Sequence, residues 1–135
     1  MSMTQTAQLA VDNARRGYEA FAKGDLEAIK SLVAPGARIH VSGRSAVSGE
    51  YSGPDGFLSW LGKVFELSGG TAKADVHDII ASDDHLIVLS TGSAERNGKK
   101  LELQQVQVSH VDSEGRLAES WFLTTDEHAA EEFWA

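Results

Sequence analysis

The chain has 135 residues, 41% hydrophobic and 24% charged, a composition that fits one folded domain spanning 1–135 with a single core. Its net charge of −8, spread along the chain, repels phosphate backbones and anionic lipid, so neither nucleic acid nor a membrane surface is an expected partner. The absence of cysteine excludes disulfides, thiolate metal sites and a cysteine nucleophile, and it suits a cytoplasmic location.

Met1 to Asp12 has no basic region leading into an apolar run, so no signal peptide is expected, and no apolar stretch approaches the ~20 residues of a membrane span. Thr4 to Lys23 reads as a helix, because Ala7, Val11, Ala14, Tyr18, Phe21 and Ala22 fall on one stripe. Gly24 ends it. Asp25 caps a second, short helix with Leu26, Ile29, Leu32 and Val33 on its buried side, stopped by Pro35-Gly36. Ala37 to Ser42 is predicted as a short strand. Gly43 to Gly53 is rich in Gly and Ser and is expected to hold a loop and a short strand around Tyr51. Pro54 suits a first helical turn, and Phe57, Leu61, Val64 and Phe65 share one face of the helix that follows, up to Gly69-Gly70.

The period then changes. Thr71 to Ala81, His85 to Arg96, Lys99 to Val111 and Arg116 to Thr125 read as four long strands joined by short turns, which implies antiparallel neighbours. Asp126 caps a last short helix ending in Phe133-Trp134. The expected fold class is α+β, a curved antiparallel sheet packed on three N-terminal helices with a short C-terminal helix. The strand around Leu86-Ile87-Val88-Leu89 is apolar on both faces, so a second subunit is expected to cover the outer one.

Tyr18 to Ile29, Leu32 to Ile39 and Ser48-Gly-Glu-Tyr-Ser-Gly53 resemble the opening of the nuclear-transport-factor-2-like superfamily. The ending Glu119-Ser-Trp-Phe122, followed by Asp126 and Glu132-Phe-Trp134, resembles its SnoaL-like branch, which is often grouped with ketosteroid isomerases. The resemblance covers nearly the whole chain. It implies a conical domain, a ligand cavity inside the cone and a homodimer packed through the outer sheet face. It does not select a reaction, because the superfamily includes isomerases, cyclases, dehydratases, epoxide hydrolases and non-catalytic proteins.

Steroid isomerases of this fold use a helical tyrosine, a carboxylate base on the first strand and a protonated aspartate on a later strand. The matching positions here are Gly17, Val41 and Gln107, so isomerase activity is not expected. Tyr18 lies one step away and is read as core packing. The same register sends Val41, Val88, Ser90, Gln105, Gln107, Ser120 and Phe122 toward a pocket whose helical wall is Trp60, Leu61 and Val64. Gln107 can donate to or accept from a ligand without titrating.

The five histidines show no metal-ligand spacing, so neither metal nor cofactor is expected. His40, near the expected pocket mouth, is the one candidate for acid–base work, although it alternates with the inward Ile39 and Val41. The leading expectation is a protein that binds a small apolar molecule, with Gln107 as polar anchor. The alternatives are a SnoaL-like enzyme working on a polycyclic or terpenoid-like substrate, and a dimeric interaction module.

Overall fold

Thr4 opens the first helix, α1 (Gln5–Ala22), by accepting a hydrogen bond from Ala7 N, one of the donors a helix start leaves unpaired. Asp25 does the same for α2 (Leu26–Lys30), and Asp126 for α4 (Glu127–Trp134) at the far end of the chain. Between them lie β1 (Val33–Val41), β2 (Gly49–Ser52), α3 (Gly53–Leu67) and the meander β3 (Lys73–Ala81), β4 (His85–Arg96), β5 (Lys99–Val111) and β6 (Leu117–Thr124). The computed structural model describes residues 3–135.

The strands form one sheet in the order β2-β1-β6-β5-β4-β3. Two expectations change here. The sheet is mixed, because β1 runs parallel to β6, with Val41 beside Phe122. Short turns dictate antiparallel pairing only within the meander and within the β1–β2 pair; β1 and β6 are distant in sequence, and no turn governs their sense. In addition, β1 begins at Val33 rather than Ala37. Pro35 and Gly36 lie in a register irregularity between Val33 and Arg38, so the proline interrupts the ladder without ending the strand.

Helices cover the concave face in three patches. Ala20, Ile29, Phe57 and Leu61 pack on Val33, Ala37 and Ile39 of β1. Ala10, with Ala14 and Tyr18 beside it, packs on Leu86 and Val88 of β4. Phe133 and Trp134 of α4 pack on Val47 and Ala94. Among the described residues the convex face has no such cover: Ile80 is 50% exposed, Leu123 42% and Leu89 36%. Among the described residues no helix is long and apolar enough to cross a membrane.

Candidate functional site

Strand alternation puts Gln107 and Ser109 of β5 and Ser120 of β6 on the helix-covered face, where all three are buried. Buried polar groups need partners. Tyr18 Oη donates to Gln107 Oε1 at 2.7 Å. Gln107 Nε2 donates to Ser109 Oγ at 3.0 Å, and Ser109 Oγ lies 2.7 Å from Ser120 Oγ. In this chain of bonds the amide oxygen faces Tyr18 and the amide nitrogen faces Ser109. This arrangement also leaves Gln107 its second Nε2–H. Burial pushes the Tyr18 pKa above the ordinary tyrosine range, so the phenol stays a donor at neutral pH.

Tyr18 and Gln107 belong to the wall of a cavity of about 210 Å³. Most of the wall is apolar, from Phe21, Val41, Phe57, Trp60, Leu61, Val64, Leu103 and Phe122. The Trp60 and Phe122 rings lie 4.5 Å apart, and Phe57 is 5.9 Å from Phe122. The Trp60 indole nitrogen is buried with no hydrogen-bond partner.

Toward α4 the wall becomes polar again. Ser42 and Glu127 both line the cavity, and the Ser42 hydroxyl donates to the Glu127 carboxylate. Gly43 (φ +88°) makes room for that carboxylate, since a Cβ there would collide with Glu127 Oε2. Glu127 is the sole acidic side chain among the described residues of the wall.

Of the pocket residues read from the sequence, Val41, Trp60, Leu61, Val64, Ser90, Gln105, Gln107 and Phe122 line this cavity. Val88 and Ser120 do not; Val88 is packed with Ala10 and Leu86, and Ser120 lies behind Gln107 in the hydrogen-bond chain. His40 is on the other face of the sheet. Its Nε2 lies 2.7 Å from Glu119 Oε2, its Nδ1 meets Glu50, and its ring stacks on Trp121 at 5.2 Å. The hydrogen bond from His40 holds Glu119 below the usual carboxylate range; burial opposes this and nearby Arg38 adds to it. Alternation with Ile39 and Val41, which face inward, turns His40 outward, so it is not an acid or base for this cavity.

Tyr18 is more than core packing, because its hydroxyl reaches Gln107. The rotation of about 100° per helical residue still leaves both Gly17 and Tyr18 on the cavity wall. Glu127 was not anticipated. Its position in the first turn of α4 reads as an ordinary helix-dipole carboxylate, and only the return of α4 over Ser42 and Gly43 brings it to the cavity. Among the described residues no group of three or more His, Cys, Asp or Glu is arranged to hold a metal ion.

Comparison with known proteins agrees with this architecture. Uncharacterized protein Rv0034 of Mycobacterium tuberculosis is 31% identical over 134 residues, covering 98% of this chain and all of its own. The structure of Bal32a, from a soil-derived mobile gene cassette, superposes with a TM-score of 0.91 at 31% identity, covering 97% of this chain and 100% of that one. Wild-type IdmH of Streptomyces antibioticus, described as a candidate polyketide cyclase, shares the fold with a TM-score of 0.72 at 24% identity, over 90% of this chain and 95% of its own. Residues 14–120 match the SnoaL-like domain, and the chain belongs to that family, within the nuclear-transport-factor-2-like fold.

Proposed function

We propose that the cavity binds a small, largely apolar ring compound carrying one hydrogen-bonding oxygen. The observation that supports this reading is the bonded series Tyr18–Gln107–Ser109–Ser120, which holds the Gln107 amide, with one N–H to spare, in the wall of a largely apolar cavity. A core that only needed filling would gain nothing from this arrangement, because buried polar groups cost free energy unless every member is satisfied. A cavity of about 210 Å³ is below the roughly 300–1,000 Å³ of drug-sized sites, which favours one or two rings over four. Kinship with a fold that includes a candidate polyketide cyclase favours a cyclic ketone or phenol as the ligand class. The lack of cysteine suits the cytoplasmic location we propose.

The test is calorimetric titration of 2-tetralone, a bicyclic ketone, into the wild type and into Gln107→Leu. Saturable binding that weakens in the variant is expected. Equal affinity for the two proteins would remove Gln107 from the site.

A further inference from the structure

The concave wall carries a second polar rung, one step farther from Tyr18 than Gln107. Gln105 of β5 pairs with Ser90 of β4 on one side and Thr124 of β6 on the other, and all three line the cavity. Strand alternation keeps Gln105 on the same face as Gln107. The rung nearer Tyr18, Val88–Gln107–Phe122, is polar only at its centre. Thr124 Oγ1 is engaged within the chain, donating to Gln104 O at 3.3 Å and accepting from Asp126 N at 3.4 Å. Ser90 and Gln105 are left to face the cavity. Gln107 is 5% exposed whereas Gln105 is exposed, so β5 leads from a buried amide to one at the open end of the wall.

Gly92 gives the second amide its place. A Cβ there would lie 2.5 Å from Gln105 Cδ and Oε1 and 2.6 Å from Nε2, so the amide sits over the bare Cα of Gly92. Gly92 pairs with Leu103, so Gln105 leans away from Gln107, whose own Nε2 reaches the other way to Ser109 Oγ. Cα atoms two residues apart on a strand are about 7 Å from each other, and the opposite leans set the two amides farther apart than that. One oxygen, or two on neighbouring carbons, cannot meet both amides. Oxygens at opposite ends of two fused rings can. The Gln105 amide and the Ser90 hydroxyl each donate and accept, and both are uncharged. They suit a neutral hydroxyl, and Glu127 on the same wall disfavours a carboxylate.

We propose that Gln105 and Ser90 form a second ligand subsite, which takes a neutral hydroxyl at the end of the ring system opposite the oxygen held by Gln107. This rests on the binding reading above and adds to it: the ligand is a two-ring compound with a polar group at each end, laid along β5. Gln107 holds its buried end and Gln105 its outer end, so the two amides set the direction of the ligand as well as its length. Gly92 is a positioning residue that acts through the Gln105 amide.

The experiment is calorimetric titration of 2-tetralone and of 6-hydroxy-2-tetralone, which adds a hydroxyl at the far end of the second ring. Both are titrated into the wild type, Gln105→Leu and Gly92→Ala, with a thermal melt of each protein. The readout is the ratio of the two affinities. In the wild type the hydroxyl should tighten binding by roughly two- to tenfold, the gain of one hydrogen bond. Gln105→Leu should bring the ratio close to one. Gly92→Ala keeps the Gln105 side chain but pushes its amide aside, so it should lower the ratio too, and it decides the matter should Gln105→Leu fail to fold. A merely structural role for Gln105 would weaken both ligands together and leave the ratio intact. A wild-type ratio near one, or a full ratio in either variant, overturns the proposal and leaves the binding reading standing. Absence of 2-tetralone binding overturns both.

Discussion

Tyr18 of α1 donates its hydroxyl to Gln107 of β5 at 2.7 Å, a bond between residues 89 apart in the chain that joins the first helix to the middle of the sheet. Without the phenol oxygen, Gln107 Oε1 is left unpaired and the amide is free to turn. Tyr18→Phe should therefore weaken binding of 2-tetralone by roughly two- to tenfold, the equivalent of one net hydrogen bond of about 0.5–1.5 kcal/mol. Calorimetry of the variant checks this. An unchanged affinity would mean that the bond serves the helix and not the site.

The fold was legible wherever one strong local signal acted. The stripe on α1, the capping residues Asp25 and Asp126 and the turns of the meander each appear in the structure as read. The β1–β6 pairing was not legible, because the sense of a pairing between distant segments leaves no local trace. The cavity wall was legible on the strands, where a period of two makes facing explicit. It was less so on α1, where a family register with no tyrosine at Gly17 drew attention away from Tyr18. Glu127 was hidden for a different reason: its contact with Ser42 spans 85 residues and depends on where α4 returns.

Gly115 holds α1 against the β5–β6 turn. Asn13 Nδ2 donates to Gly115 O at 3.0 Å and to Glu114 O at 3.2 Å. At φ +73°, an added Cβ would sit 2.6 Å from Ala10 N and 2.8 Å from Leu9 C, both backbone atoms that cannot step aside. Gly115→Ala combines this clash with left-handed strain. A loss of at least about 1–3 kcal/mol is expected in urea unfolding, and α1 should shift enough to impair the Tyr18–Gln107 bond. A fully stable variant would show that the turn can retreat from the helix.

Phe133 and Trp134 end the chain's last helix with 3% and 8% exposure, their rings edge to face at 4.8 Å. Phe133→Ala should cost roughly 3–5 kcal/mol, as for large-to-small changes in a core. Truncation before Glu131 should lower the melting temperature and expose the cavity. No change in melting would mean that α4 is not part of the cooperative unit.

Asp112 supplies a pH test. Burial works to raise its pKa. Hydrogen bonds from Arg116 N, the Arg116 guanidinium and Glu114 N, with the Arg116 charge, outweigh it, and the net shift is downward from the ordinary 3.8. A folded-state pKa below the unfolded one means that the native state binds fewer protons. The stabilisation is thus present above pH 3.8 and is lost as pH falls through the lower folded-state value. Asp112→Asn should melt lower than wild type at neutral pH, and the gap should narrow as the pH drops below about 4. A gap independent of pH would assign the effect to turn geometry rather than charge.

The outer sheet face leads to the last expectation, that two copies of this chain associate through it. Leu89, Leu123 and Ile80 stand on this face at 36%, 42% and 50% exposure, and Val106 pairs with both Leu89 and Leu123 across neighbouring strands. Apolar side chains contiguous over four strands are costly to leave in water, at about 25 cal/mol per Å². Trp121, stacked on His40 and tilted against His110, extends the patch with an aromatic ring of the kind enriched at interface centres. The charged residues Arg38, Glu50 and Glu119 gather beside His40, so the patch has a polar rim on the β1 side. A stable dimer buries on the order of 1,200–2,000 Å² in total. Sedimentation velocity at micromolar concentration should give a dimer for the wild type. Leu89→Glu, which places a charge in the middle of the patch and leaves the cavity side untouched, should sediment as a monomer that still binds 2-tetralone. A wild type that remains monomeric at these concentrations would refute the association, and a Leu89→Glu dimer would move the interface elsewhere.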